Sequence, residues 1–410
     1  MTDVIGALPD ARRAARSLAI APRAEKDAVL RAAARAIEAS AARIASENAL
    51  DVKDARARGV SDALVDRLVL DASRIASIAR VLREIAAEDD PVGEVLEDRT
   101  RPNGLRVRRV RVPIGVIGMI YEARPSVTAE AFALAFKAGN AIVLRGGSDA
   151  SRTNAAIGDA IRGVLPEKWR GVLVLADPTR ESVLEMVRAE GAIDLVIPRG
   201  GEALVRFVTE NARVPVVQHY KGVCHAFVDA SADLEDAKRV VVNAKMSRPG
   251  VCNALECLLV HESVAERFLP ALARALGPAC EIRGCERTVA IVPTAKRAAP
   301  DDFGREFLDR VLAVRVVADL DAALDHVARF GSGHTEAILT RDESHAARFR
   351  SEVDAACVVV NASTRFHDGG ELGLGTEIGI ATSRLHWRGP MGLESLTTMK
   401  WLVDGSGQTR

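Results

Sequence analysis

The sequence predicts an α/β protein with two doubly wound domains and a projecting β-hairpin. Three observations carry that expectation. From residue 114 short apolar runs alternate with stretches of helical period, the pattern of a parallel sheet covered on both faces. The alternation pauses near residue 225 and then runs again to about residue 361. Ahead of it, Pro102-Asn103-Gly104 separates two extended, alternating segments, which is a hairpin signal.

Size and charge agree. At roughly 100–200 residues per domain, 410 residues make two or three domains. Lys plus Arg is 56 and Asp plus Glu is 56, so the chain is formally neutral. A neutral chain has no global attraction for a phosphate backbone or an anionic bilayer, so no nucleic-acid partner is expected. No apolar run approaches the roughly 20 residues of a membrane span, so no membrane partner is expected either. The opening MTDVIGALPDARRAARSLA lacks an apolar secretory core. Six cysteines are too sparse for a disulfide framework, so reduced thiols and a cytoplasmic location are expected.

The first ninety residues read as helices, because alanine and arginine dominate and apolar positions recur at helical spacing. Residues 92–111 form the hairpin. Its arginine arm (Arg106, Arg108, Arg109, Arg111) faces Glu94, Glu97 and Asp98, so cross-strand ion pairing is expected. The first alternating block places strands at Ile114–Tyr121, Ala141–Arg145, Val172–Leu175, Asp194–Pro198 and Val214–Gln218. Helices Val127–Lys137, Ala150–Val164, Arg180–Arg188 and Glu202–Asn211 separate them. The second block holds helix Leu234–Lys245 and strands Leu255–His261, Leu312–Val317, Glu336–Thr340 and Cys357–Val360, with helices Leu320–Ala328 and Glu343–Arg350. The expected division is 1–225 for cofactor binding, 226–365 for a catalytic domain, and 366–410 for a glycine-rich return segment and terminal strand.

The sharpest local feature is Ser247-Arg248-Pro249-Gly250-Val251-Cys252-Asn253-Ala254. It puts a thiol on a Pro-Gly loop between a helix and a strand, where backbone N–H groups can stabilise a thiolate and an oxyanion. A buried structural cysteine is the alternative. Cys257, inside the apolar LECLLV, reads as core. Two further loops end sheet strands: Arg145-Gly146-Gly147-Ser148 and Arg199-Gly200-Gly201. Glycine allows close backbone approach, the following helix offers free N–H groups, and arginine adds charge, so both suit a phosphate or dinucleotide. The G-x-G-x-x-G fingerprint is absent after the first strand, and the glycines of 373–379 have the wrong spacing. His219, Cys224 and His225 cluster without a CxxC or HExxH, so no metal site is expected. No G-x-S-x-G accompanies a serine.

Several longer segments carry a family resemblance: VPIGVIGMIYEARPSVT, GNAIVLRGGSDA, HYKGVCHAFVDASADL, NAKMSRPGVCNALE, FGSGHTEAI, NASTRFHDGGELGLGTEIGI and RGPMGLESLTTMKW. In this order they resemble the glutamate-5-semialdehyde dehydrogenases, or gamma-glutamyl phosphate reductases, of the aldehyde dehydrogenase superfamily. The resemblance covers nearly the whole chain. It implies an aldehyde dehydrogenase-like fold and NADPH-dependent reduction of L-glutamyl 5-phosphate to the semialdehyde and phosphate, in proline biosynthesis.

The resemblance implies that Cys252 is the nucleophile, with Asn253 and the Cys252 backbone N–H as oxyanion candidates. Arg145 stands where the superfamily binds the adenosine ribose. Ser148 replaces a glutamate often found three residues later, which removes repulsion against a 2′-phosphate and favours NADP. Glu306 is similar in position to the glutamate that holds the nicotinamide ribose. His219 stands where hydrolytic relatives carry their water-activating glutamate, and YEARPS replaces their P-W-N segment. Arg124, Arg248 and Arg365 are candidates for the substrate's phosphate or α-carboxylate. The hairpin 92–111 and the tail 388–404 resemble oligomerisation elements, so a homodimer or homotetramer is expected, as is a possible association with a glutamate 5-kinase. The rival readings are a hydrolytic NAD(P)-dependent aldehyde dehydrogenase and a non-catalytic dinucleotide-binding protein.

Overall fold

Helices Val4–Leu18, Arg23–Ala39, Ala41–Ala57, Asp62–Leu68 and Ala72–Ala87 occupy the first ninety residues. Helix Ala72–Ala87 shows why. Ile75, Ile78, Ala79, Leu82, Ile85 and Ala86 recur on one face and are buried, and Asp71 caps the N-terminus by accepting from Arg74 N at 2.7 Å. The computed structural model describes residues 3–122, 124–218 and 220–410. Among them, no helix is long and apolar enough to cross a membrane.

The chain divides into two units: Met1–Gln218 with Leu374–Gly379 and Met391–Arg410, and His219–Gly373 with Ile380–Pro390. The boundary expected at 225 falls at 218. The stretch 366–410 does not stand alone but is shared between the units.

In the first unit a four-stranded parallel sheet runs in the order Leu173–Leu175, Ala141–Gly146, Val116–Tyr121, Leu195–Arg199. The chain moves outward from Val116–Tyr121 for two strands and then returns to its other side. That reversal makes a switch point at the C-terminal ends of Val116–Tyr121 and Leu195–Arg199, where such sheets bind ligands. The strand expected at Val214–Gln218 does not form. Only Val216 bridges to Val196. Pro215 has no N–H to give a ladder, and its carbonyl accepts from Val196 N instead.

The second unit holds a seven-stranded parallel sheet. Its order is Lys296–Arg297, Glu281–Gly284, Val311–Val317, Leu255–His261, Cys224–Val228, Thr335–Leu339, Cys357–Val360. The sequence reading missed the first two of these strands. They are short and charged, and ion pairs rather than an apolar run mark them: Glu281 meets Arg283 at 2.7 Å and Lys296 at 2.5 Å.

The hairpin pairs Val95–Thr100 with Arg106–Pro113, and Thr397–Asp404 adds a third antiparallel strand. The expected cross-strand pairs are present: Asp98–Arg106, Glu97–Arg109 and Glu94–Arg111, each at 2.5 Å. The added strand leaves Met399, Trp401 and Val403 exposed.

Beneath the helical layer lies a buried charge network. Lys137 Nζ donates to Asp27 Oδ1 at 2.5 Å and to Ala86 O at 3.1 Å. Lys26 Nζ donates to Lys137 O at 2.9 Å and pairs with Asp90. These contacts tie helices Arg23–Ala39 and Ala72–Ala87 to helix Val127–Lys137, which packs on the sheet. Removing one partner of a buried pair strands the other charge. Lys137→Met should lower unfolding stability by about 3 kcal/mol, and adding Asp27→Asn should restore part of it. Chemical denaturation of the two variants measures this, and an unchanged midpoint for Lys137→Met would contradict the network's role.

Candidate active site

Cys252 owes its place to what flanks it. Helix Leu234–Met246 closes with Ser247 N donating to Asn243 O at 3.2 Å. Pro249 has no N–H to continue the helix. A turn from Ala254 N to Val251 O (3.0 Å) leads into strand Leu255–His261. The two ends of the loop are clamped together. Lys245 Nζ donates to Glu256 Oε2 at 2.6 Å, and neither side chain is exposed. Glu256 Oε1 also accepts from Leu308 N at 3.1 Å. Burial pushes the Glu256 carboxyl up to about 7, against the opposing pull of Lys245. The sequence reading did not single out either residue.

The loop also rests on segment 221–224. The Cys252 carbonyl accepts from Cys224 Sγ at 3.2 Å. Gly222 packs so close that a Cβ there would lie 2.2 Å from that carbonyl oxygen. Gly222 N donates to Glu306 Oε1 at 3.0 Å, and Lys221 Nζ to Gly304 O at 2.9 Å. Glu306 therefore anchors the segment on which Cys252 sits.

Of the six thiols, Cys224, Cys257 and Cys280 are buried, whereas Cys252, Cys285 and Cys357 are half-buried. Of the half-buried three, Cys285 precedes the short helix Glu286–Ile291 and Cys357 opens strand Cys357–Val360, which leaves Cys252 as the one on a Pro-Gly loop. Burial pushes the Cys224 thiol well above its ordinary value and Cys280 up to about 11. Cys224 also meets His334 Nδ1 at 3.7 Å, in a chain that continues through Thr335 Oγ1 to His367 Nδ1 (2.7 and 2.8 Å).

Asn253 requires a correction. Its Oδ1 faces the Arg365 guanidinium, which fixes the amide's orientation. Its Nδ2 then donates to His367 O at 2.9 Å and Arg365 O at 3.4 Å. Both N–H donors are engaged by carbonyls, so none remains for an oxyanion. Asn253 ties the cysteine loop to the turn Thr364–Phe366, helped by Thr364 Oγ1 donating to Asn253 O at 2.7 Å. Arg365 thus contacts the residue next to Cys252. Arg248 is exposed and has no side-chain partner among the described residues. His219 lies outside the described residues.

The first unit gathers its own candidates at the strand ends. Arg145 Nη2 donates to Thr179 O at 3.1 Å. Gly146 is forced, since a Cβ would lie 2.2 Å from Asn154 Nδ2. Gly147 is extended and precedes the turn Ser148–Ala150 that opens helix Ser151–Arg162. Arg199 turns its guanidinium onto Ile378 O, so part of its donor set holds the segment 374–379. Gly201 N donates to Glu122 Oε2 at 3.0 Å, and a Cβ on Gly200 would lie 2.4 Å from that oxygen. Glu122, at the end of the central strand, was not anticipated. Arg124 is exposed at the start of the turn into helix Val127–Lys137, and its carbonyl accepts from Val127 N at 3.1 Å.

The aldehyde dehydrogenase family model matches residues 1–304. The chain belongs to the aldehyde dehydrogenase family. It is 57% identical over 410 residues to the gamma-glutamyl phosphate reductase of Sorangium cellulosum, covering 98% of this chain and 96% of that one. It is 55% identical to the gamma-glutamyl phosphate reductase of an Anaeromyxobacter species, over 97% of this chain and 95% of the relative. The crystal structure of gamma-glutamyl phosphate reductase from Thermotoga maritima superposes with a TM-score of 0.98 at 46% identity, covering 100% of both chains. Within the family the chain belongs to the gamma-glutamyl phosphate reductases. It is an oxidoreductase that takes a nicotinamide cofactor.

The first unit suits such a cofactor. The sheet reverses at the strand ends, Gly146 and Gly200 keep the backbone there free of side chains, and Arg145 supplies a cation.

One buried cluster in the second unit has metal-ligand chemistry: His225, Cys257 and His326, whose ligand atoms all lie within 4.8 Å of one another. Its surroundings favour hydrogen bonding. Arg315 Nη1 approaches His326 Nδ1 at 3.3 Å, which leaves the ring proton on Nε2, 3.6 Å from Cys257 Sγ. A protonated nitrogen does not ligate a metal. Glu336 Oε2 accepts from His225 N and lies 3.0 Å from its Nδ1. Burial opposes a charge on His225, yet Glu336 and Cys257 hold its pKa well above the ordinary value. His326 is instead driven down to about 3, first by burial and then by His225 and Arg315.

Two outcomes follow from this geometry. Gly222→Ala should displace the Cys252 backbone and lower kcat at least about 100-fold while far-UV circular dichroism stays unchanged; a near-normal kcat would show that the contact is not needed. His326 governs an acid response. Below pH 6.5, its ordinary value, the unfolded imidazole binds a proton that the folded one refuses until about pH 3. Stability therefore falls as pH drops through that window. His326→Phe should flatten the slope of stability against pH there, and an unchanged slope would assign the acid response to other groups.

Proposed function

We propose that this chain reduces L-glutamyl 5-phosphate to L-glutamate 5-semialdehyde and phosphate, the second step of proline biosynthesis, with Cys252 as nucleophile and NADPH as cofactor. The observation that carries the reading is the half-buried Cys252 on its clamped loop, beside the Cys224 thiol that burial holds protonated.

The Cys252 thiolate attacks the acyl-phosphate carbonyl, a C–S bond forms, the C–O bond breaks and phosphate leaves. The cofactor, when bound, supplies hydride to the thioester carbon. The C–S bond then breaks, releasing aldehyde and thiolate. One difficult displacement becomes two easier steps. A free thiol is only a few per cent ionised at neutral pH, and Arg248, exposed on the same loop, supplies a nearby cation for the thiolate or the departing phosphate. Arg365, next to Asn253, takes the α-carboxylate, and Arg124 adds charge for phosphate.

Arg145, Gly146, Gly147, Ser148, Arg199, Gly200 and Gly201 form the cofactor cradle. A serine at 148 and an arginine at 145 favour the 2′-phosphate of NADP. Glu306 acts through the segment 221–222 and holds the nicotinamide ribose. The exposed strand Thr397–Asp404, with Met399, Trp401 and Val403, suits strand addition between copies, so a homo-oligomer forms in the cytoplasm. The lability of the acyl phosphate favours transfer from an associated kinase.

The test is NADP+ reduction by glutamate semialdehyde, with and without phosphate, on wild type and Cys252→Ser. Phosphate-dependent turnover lost in the variant is expected. Turnover without phosphate that yields glutamate would instead mean a hydrolytic dehydrogenase. Turnover surviving in Cys252→Ser would remove Cys252 from the reaction.

A further inference from the structure

The cysteine loop borders a cavity of about 270 Å³ lined by Asn243, Ser247, Arg365, Phe366, Asp368 and Glu371. Ser247 opens the nucleophile's loop, and Arg365 contacts Asn253, the residue after Cys252. The cavity thus adjoins the foot of the cysteine loop, and its walls carry one cation and two carboxylates. A substrate bearing only a carboxylate needs the cation. A substrate bearing an α-ammonium as well needs an opposite charge for it. Asp368 Oδ1 accepts from Gly370 N at 3.1 Å, the one hydrogen bond its carboxylate makes among the described residues, which orders the carboxylate and leaves other lone pairs available. Glu371 is exposed on the same turn.

We propose that Asp368 and Glu371 hold the substrate's α-ammonium group and, by keeping it protonated, stop it from attacking the Cys252 thioester. The inference rests on the thioester reading above and adds to it a reason for the two carboxylates. In a glutamyl thioester the amine and the acyl carbon are separated by three carbons. An unprotonated amine therefore closes a five-membered lactam. The N–C bond forms, the C–S bond breaks, and the proton lost by nitrogen returns to the departing thiolate. No electrons are transferred, so the cycle ends in a dead-end lactam and a free cysteine. An ammonium has no lone pair and cannot take this path. Two adjacent carboxylates favour the ammonium form and fix it away from the acyl carbon. Arg365 holds the carboxylate end, so the chain between is drawn out along the cavity.

The experiment runs the reaction backwards on the full chain, comparing glutamate semialdehyde with its des-amino analogue, glutarate semialdehyde, for wild type and for Asp368→Asn with Glu371→Gln. The readouts are kcat/KM with phosphate present, and lactam release with phosphate withheld. The variant should lose its preference for the amino substrate by roughly 10–100-fold, and it should reduce NADP+ without phosphate while releasing 5-oxoproline. Comparing each ratio with wild type cancels the fraction of substrate cyclised in solution. Equal loss on both aldehydes, or no rise in lactam, overturns the proposal while leaving the thioester mechanism standing. If wild type itself shows no Cys252-dependent, phosphate-dependent turnover, the underlying reading fails first and takes this one with it. A variant that does not fold is replaced by the single changes, Asp368→Asn and Glu371→Gln, each read by the same preference ratio.

Discussion

The Lys245–Glu256 pair is the contact on which the site depends. It joins the last turn of one helix to the first turn of the next strand, with the Cys252 loop strung between them. A loop of this kind has no ladder of its own, and Pro249 removes one donor. Its shape must come from its ends and its floor. The ends meet through a fully buried ion pair, and the floor is Gly222 with the carbonyl contact from Cys224. Burying a pair of charges is costly in general and is repaid only by good geometry and by satisfying the remaining lone pairs. Here the second carboxylate oxygen takes the Leu308 N–H, so the pair is complete as well as close.

Much of the architecture was legible because burial on two faces writes itself as apolar runs. Val116–Tyr121 and Leu255–His261 are buried almost throughout, and their sequences admit few other readings. The short strands at one end of the seven-stranded sheet are different. Glu281–Gly284 and Lys296–Arg297 meet water and are marked by charge, so period and hydropathy pass over them. Pro215 shows the opposite error: Val214–Gln218 has the composition of a strand, but one missing N–H reduces it to a single bridge. The Cys252 loop was legible because a Pro-Gly break between a helix and a strand exposes what it carries. Its supports were not. Asn253 bonds to residues 112 and 114 positions away, and no local pattern announces that its amide is already engaged. Lys245 and Glu256 carry no local signal of their pairing until the fold brings them together, and Glu122 needs the sheet order before its strand end is seen to lie at a switch point.

Titration in the second unit is divided among its buried groups rather than concentrated at one. His225 beside Glu336 retains its proton despite burial, whereas His326 and His367 lose theirs, the latter with its pKa lowered to about 4 chiefly by desolvation. The charged histidine contributes stability below its folded pKa and loses it as pH rises through that value. The two neutral ones act in the other direction, with stability falling as acid reaches them. The His225 ring thus stays protonated beside Glu336, while the other rings serve as neutral partners for Arg315, Cys257 and Thr335.

Cys252 and Cys224 differ here in solvent access more than in sequence setting. Cys224 lies within reach of the Cys252 carbonyl, has an imidazole 3.7 Å away, and on that pairing alone would pass for an activated nucleophile. Full burial outweighs the imidazole and keeps the thiol protonated. Cys252, on the outer side of the same contact, is only half-buried. The fold thus uses one cysteine as a hydrogen-bond donor to position the other. The inner thiol is costly to ionise, and the glycine at 222 is what allows the two segments to lie close enough for that arrangement.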